Sequence, residues 1–298
     1  MSHAFSRRTF LHRTGALAAG AAVPSWLFSP HTPPLKPKAS IQDVIDLIMA
    51  ACGAPIPNTV DTVKSGDPSR SCTGVATTFL ATTEVIKKAV ARGVNLLITH
   101  EPTYYNHLDE TDWLRDDPVY RYKRALLEDN GVVVWRFHDY WHQHEPDGIL
   151  HGFLKAVGWQ PYLQEDKEVT CIIPETSLRE LAAFFKAQLE LRRTFYTGDP
   201  GMRLRHVALL PGAWGRQKQL EHLRRDDIEV AVVGEVAEWE TCEWVRDATS
   251  AGLKKGLVVL GHAESEEPGM KYLVDWLRPR VPGIEVLHLP ATDPFQPV

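Results

Sequence analysis

Cysteine is scarce and scattered in this sequence: Cys52, Cys72, Cys171 and Cys242 form no Cys-x-x-Cys pair. That excludes a zinc ribbon or a thioredoxin-like dithiol. Each thiol is expected to act as a small buried hydrophobe, with disulfide pairing left open. No apolar run approaches the roughly 20 residues of a membrane-spanning helix, so no membrane anchor is expected in the mature chain. Lys and Arg (33) do not outnumber Asp and Glu (38), and no basic run is interleaved with aromatics, so nucleic acid is not an expected partner. There is no phosphate-cradling P-loop and no Ser-His-Asp arrangement to narrow the chemistry. What remains is ordinary globular composition, 44% hydrophobic and 24% charged, enough for one large domain or two smaller ones.

The first residues read as an address. Ser6-Arg7-Arg8-Thr9-Phe10-Leu11 resembles the twin-arginine export motif, and a weakly apolar stretch rich in Ala and Gly follows from Thr14 to Val23. Residues 1–29 are therefore expected to be a signal peptide, without a clear cleavage site, and the protein periplasmic or otherwise extracytoplasmic. Pro30 to Lys38 holds four prolines in nine residues, so 30–39 reads as a stiff linker.

From residue 40 onward, strand-like and helix-like segments alternate. Ser40 caps a helix over Ile41–Ala51, with Asp43 completing a capping box. Strands are expected at Val75–Leu80, Val94–Thr99, Val132–Phe137, Val169–Ile173, Val207–Leu210, Val230–Val233, Leu257–Leu260 and Glu285–Leu289. Helices are expected at Thr83–Arg92, Pro118–Asp129, Leu178–Glu190, Gln217–Arg224, Glu238–Ala251 and Pro268–Leu277. This rhythm implies an α/β fold of two packed lobes, about 40–165 and 166–298, interleaved or not, with mixed, largely parallel sheets.

The polar residues that carry chemistry gather where strands end. His100-Glu101 follows one strand, His138 ends another with His142 and His144 just beyond, Glu235 closes a third, and His262 follows a fourth. Ligands of open α/β sheets bind outside the carboxyl ends of strands. Imidazole and carboxylate are the usual ligands of zinc, manganese and iron, and His262 and Glu266 can share one side of a helix that begins there. A metal site is thus expected at the strand ends between the lobes.

Several stretches are similar to the Nif-three-like family of dinuclear metal-centre proteins. Thr99-His100-Glu101-Pro102 is similar to its Thr-His-His-Pro stretch. Gly234-Glu235-Val236-Ala237-Glu238 is similar to its Gly-Glu-Val-Ser-Glu stretch. Gly261-His262-x-x-x-Glu266 looks like its C-terminal metal motif, and Pro211-Gly212-Ala213-Trp214-Gly215 stands where it has a glycine-rich turn. The resemblance spans about residues 40–298. It implies metal ligands at His100, His262 and Glu266. Glu101 stands where the family usually has a second His. Counted from His138 and from the Val157-Gly158 pair, His142 takes the place of a ligand Asp. The expected set is therefore His100, Glu101, His142, His262 and Glu266, holding divalent ions, with bridging roles falling to Glu266 and Glu101 because an imidazole nitrogen cannot bridge. Glu235 is a bridging group, a catalytic general base, or a partner that orients His262; His138 is expected to orient the site. His144 and His151 are candidate substrate contacts. Trp135, Tyr140, Trp141, Trp214, Trp239 and Tyr104 are candidates for a pocket wall or for core.

The resemblance implies a metal-dependent hydrolase acting on a phosphoester or nucleotide-like small molecule through metal-activated water, or alternatively a non-catalytic metal-handling protein. It also implies a ring-shaped homohexamer with two ions per site.

Overall fold

The computed structural model describes residues 39–164 and 169–296. The expected signal segment, and all but the last residue of the expected linker, lie outside the described residues. Helix α1 (Ile41–Ala50) starts at the Ser40–Asp43 capping box and buries Ile41, Val44, Ile45, Leu47 and Ile48. It covers a five-stranded sheet of order β1 (Val63–Ser65), β4 (Val133–Arg136), β3 (Leu96–Thr99), β2 (Val75–Thr78), β10 (Val286–His288). All pairings are parallel except β1 with β4. Strands β2, β3 and β4 are buried along their whole length, so β3 and β4 open as apolar runs without alternation, while β2 buries Thr77 and Thr78. Helices α2 (Thr83–Ala91) and α3 (Pro118–Asn130) are the crossovers of this half.

The second sheet has order β5 (Thr170–Ser177), β7 (Arg203–Leu210), β8 (Val230–Val233), β9 (Gly256–Val259), β6 (Phe195–Thr197). Its three central strands are parallel and its two edges antiparallel. Helices α6 (Leu178–Gln188), α7 (Gly215–Leu223) and α8 (Glu243–Ser250) complete it, the last preceded by a π-helical turn at Glu238–Cys242. The architecture is mixed α/β with two five-stranded sheets, and the chain returns to the first sheet to add β10.

Two elements that the sequence pattern did not announce hold the halves in place. Short α4 (Asp139–Gln143) and α5 (Gly148–Val157) follow β4, and α5 crosses α9 (His262–Leu277). The crossing is backbone on backbone: a methyl at Gly152 would lie 2.5 Å from the Cα of Gly269, and one at Gly269 2.5 Å from the Cα of Ile149. Helix α9 begins at His262, six residues before the start expected at Pro268. A proline inside a helix lacks its N–H and normally disfavours continuation. Here Ser265 pins the first turn: its hydroxyl donates to the His262 carbonyl (2.8 Å) and accepts from the Gly212 N–H (2.9 Å). The four cysteines are unpaired, with Cys52 and Cys171 buried.

Candidate metal centre

The carboxyl ends of β3 and β4 in one sheet and of β8 and β9 in the other supply the site. His100 and Glu101 leave β3 with their N–H groups donating to the Phe79 carbonyl (3.0 and 2.8 Å). His138 and His142 sit on the turn after β4, one α-helical turn apart. That turn is held from a distance by the buried Asp61, whose carboxylate accepts from the N–H groups of His138 (2.7 Å), Asp139 (3.0 Å) and Tyr140 (2.9 Å). These are the donors that a helix start leaves without intrahelical partners. Burial raises the Asp61 pKa, and the three N–H bonds offset part of that rise.

His262 and Glu266 occupy the first turns of α9, and three glycines make room for them. Gly212 has φ +80, and a methyl there would lie 1.9 Å from Glu266 Oε1. A methyl at Gly234 would meet the Gly212 backbone at 2.5 Å, and Gly261 (φ +113) abuts the Glu264 carboxylate. A side chain at Gly234 would displace the Gly212 backbone, and one at Gly212 or Gly261 would displace the Glu266 or Glu264 carboxylate.

Each imidazole is tied at Nδ1 and turns Nε2 toward the others. His138 Nδ1 pairs with Asp139 (2.9 Å), His142 Nδ1 with Asp147 (2.9 Å), and His262 Nδ1 faces Glu235 Oε2 at 3.4 Å. His100 Nδ1 faces the Phe137 carbonyl at 3.4 Å. Fixing the outer nitrogen on a carboxylate or carbonyl is the usual way proteins orient metal-binding imidazoles. On the inner side, Glu266 Oε2 lies 3.1 Å from His262 Nε2 and 3.5 Å from His100 Nε2. Glu101 Oε1 lies 3.5 Å from His262 Nε2 and 3.7 Å from His138 Nε2. The His100 and His138 rings stack at 4.5 Å, and His142 stands 5.0 Å from each.

Two overlapping groups can hold an ion: ligand atoms of His100, Glu101 and Glu266 lie within 4.8 Å of one another, and so do those of His100, His138 and His142. The residues fit a cation on a second ground. His100 Nε2, His262 Nε2 and Glu266 Oε2 are buried, converge on one another, and have no hydrogen-bond partner. A buried polar atom without a well-formed hydrogen bond costs about 1–3 kcal/mol, and these three have only ion-pair approaches of 3.1–3.5 Å to one another and to Glu101. The protonation pattern agrees. Burial works against a charged His262, yet Glu101, Glu235 and Glu266 push its pKa up to about 12. Burial likewise opposes ionisation of Glu101, but His262 and His100 bring it down to about 2. Glu266 is held below the usual carboxylate range against its burial by His100 and His262. The carboxylates thus demand a positive charge where the imidazoles meet. His138 is the opposite case: burial first, then the neighbouring His100 and His142, lower its pKa to about 4, leaving it a neutral donor.

The family model of Duf34/NIF3 (NGG1p interacting factor 3) matches residues 42–294. The chain belongs to the Duf34/NIF3 family. A GTP cyclohydrolase 1 type 2 homolog of Clostridium perfringens is 22% identical over 274 residues, covering 86% of this chain and 98% of that one. A Bacillus cereus protein related to NIF3 superposes with a TM-score of 0.70 at 14% identity, covering 88% of this chain and all of that one. Staphylococcus aureus protein SA1388 gives 0.69 at 17%, covering 87% and 99%. At these identities the structures establish the shared fold.

In this Duf34/NIF3 member, all five expected ligands (His100, Glu101, His142, His262 and Glu266) stand around one point. His138 does too: it turns Nε2 into the cluster rather than only orienting it. Glu235 is exposed and contacts the outer nitrogen of His262, away from the His100–Glu266 side. Beside the cluster opens a cavity of about 950 Å³ whose wall includes Glu101, Glu235 and His262. Its aromatics are Phe79, Tyr105, Phe195 and Phe295. Trp135, Tyr140, Trp141 and Tyr104 are core instead, while Trp214 and Trp239 are exposed. His144 packs on Trp141 and Trp276, and His151 on Tyr272, so neither faces this cavity. Sequence reasoning missed Asp61, Asp139, Asp147 and Arg136. The buried Arg136 guanidinium donates to the His100 carbonyl (3.0 Å) and the His107 carbonyl and reaches Glu101 Oε2 at 3.4 Å. An acid directly beside a histidine was the one signal that could have found Asp139.

Proposed function

We propose that the protein is a divalent-metal-dependent hydrolase acting on a phosphoester or nucleotide-like small molecule, with two ions at the centre. In this reading His100, Glu101, His138, His142, His262 and Glu266 would hold the ions. The ions would supply Lewis acidity, lowering the pKa of water at the site and neutralising charge that develops on the substrate. The protein's own residues do the rest. Asp139, Asp147 and Glu235 fix the imidazole tautomers; Arg136 holds Glu101 and the loop after it. Glu235, exposed at the cavity wall with a pKa lowered chiefly by its hydrogen bond with His262, is ionised and able to accept a proton from a group entering there.

The observation that carries the proposal is the cavity. A metal-handling protein needs exchangeable ligands but no space for an organic substrate beside them; about 950 Å³ opens directly on Glu101 and His262. The description of the Clostridium perfringens relative as a GTP cyclohydrolase homolog supports a nucleotide-like substrate. The test is turnover of a phosphoester and nucleotide panel by the metal-loaded protein. Activity lost in His262→Ala supports the reading; an inactive panel with full metal content goes against it and favours metal handling.

Two further parts of the proposal concern the setting. Export through the twin-arginine-like Ser6–Leu11 segment is tested by cell fractionation of a tagged full chain. Self-association is supported by the exposed Tyr105, Leu108, Trp113, Val119 and Tyr122, 51–64% accessible, and the homohexamer that the family resemblance implies is tested by light scattering.

A further inference from the structure

One wall of the cavity is formed by the loop that follows Glu101 and by α3 behind it. Lys123 on α3 is 2% exposed and lines the cavity. Its ammonium donates to the Thr103 carbonyl (2.5 Å) and lies 5.2 and 5.9 Å from the rings of Tyr105 and Tyr104. An ammonium has three donors, so two are left over. The other cavity-lining cations are neutralised: Arg193 is paired with Asp293 (3.0 Å) and Arg246 with Glu243 (3.1 Å). Among the described residues, Lys123 has no carboxylate within ion-pair distance. The nearby Asp109 is already engaged, by Lys64 at 3.5 Å and by the Tyr104 N–H at 2.7 Å. Burying an ammonium without a carboxylate partner is costly, and burial accordingly lowers the Lys123 pKa to about 8. Beside it, the Thr103 hydroxyl is also buried, also lines the cavity and has no hydrogen-bond partner. The same loop reaches the cluster, with the His107 ring 6.0 Å from that of His138.

We propose that Lys123 and Thr103 form an anion-receiving corner that takes a phosphate-type group of the substrate, away from the reacting centre. Lysine binds phosphate as a point charge, and the adjacent hydroxyl adds a donor for a second oxygen of a tetrahedral oxyanion. The corner deepens the hydrolase reading and rests on it: it gives a nucleotide-like substrate one point of attachment apart from the metal ligands. Positioned binding of a remote group is how a substrate's reacting bond is held in register.

The test is calorimetric titration of inorganic phosphate into the full-length, metal-loaded protein, with metal content measured on the same samples. Lys123→Met keeps the apolar stem and removes the charge; Thr103→Val removes the hydroxyl and keeps the carbonyl. With metal content unchanged, phosphate affinity should fall about tenfold or more in Lys123→Met and about threefold in Thr103→Val. Should Lys123→Met fail to fold, the isosteric Thr103→Val carries the test. No binding to the unsubstituted protein overturns the proposal. So does binding that both variants retain and only the metal-depleted His262→Ala loses, because the anion then sits on the metal. An inactive substrate panel would sink the hydrolase reading yet leave Lys123-dependent phosphate binding standing, so the two failures are distinguishable.

Discussion

Replacing Gly212 with alanine tests whether Glu266 is held where a ligand must be. The new methyl would lie 1.9 Å from Glu266 Oε1 and 2.7 Å from its Cδ, both below the 3.0 Å that real contacts respect, so the whole carboxylate has to move by about 1.1 Å. Metal–ligand distances tolerate only about 0.2 Å. Loss of one ligand should then weaken metal binding at least about 100-fold, or about 2.7 kcal/mol. A second effect must be separated from this one, since alanine at φ +80 is strained by about 1–2 kcal/mol wherever it stands. Gly215 provides the control: it has φ +72 and nothing within 4 Å of its would-be methyl. Gly215→Ala should lower the melting temperature and keep the metal, whereas Gly212→Ala should lower both. Chelator competition read by elemental analysis, alongside thermal melts, distinguishes them. Equal metal affinity in the two variants would refute the placement of Glu266.

Two further outcomes follow from the geometry. Asp139→Asn and Asp147→Asn, which loosen the outer nitrogens of His138 and His142, should each weaken metal binding about 10–100-fold in chelator competition; unchanged affinity would mean those imidazoles are not ligands. In the metal-stripped protein, folded His262 keeps to about pH 12 a proton that the unfolded chain releases near its ordinary 6.5. Its contribution is therefore complete below pH 6.5 and is lost as the pH rises, by at most about 1.4 kcal/mol per pH unit. Denaturant unfolding between pH 7 and 9 should show that decline in the stripped protein and not in His262→Gln. An identical slope in both would assign it elsewhere.

The parts of this molecule legible from sequence are those governed by local rules. Strands β3 and β4 are continuous apolar runs, Ser40 and Asp43 form a local capping box, and the strand ends carry His100, His138, Glu235 and His262 beyond them. What escaped depends on distant partners. Asp61 reaches a turn 77–79 residues away, and nothing around it marks that role. Strands β1 and β6 are three-residue edges, too short for a period to show. The start of α9 was hidden by Pro268, because the contact that secures its first turn comes from Gly212 on another strand end. Two of the cavity's aromatics escaped for a related reason: Phe195 and Phe295 are far in sequence from the histidines and come to the cavity through the second sheet and the chain's return past β10.

Elemental analysis of the folded, metal-replete full chain tests the central claim most directly. The account expects close to two divalent ions per chain, falling in His262→Ala and in His138→Ala. Folded protein without stoichiometric metal, or metal content indifferent to both substitutions, would contradict it.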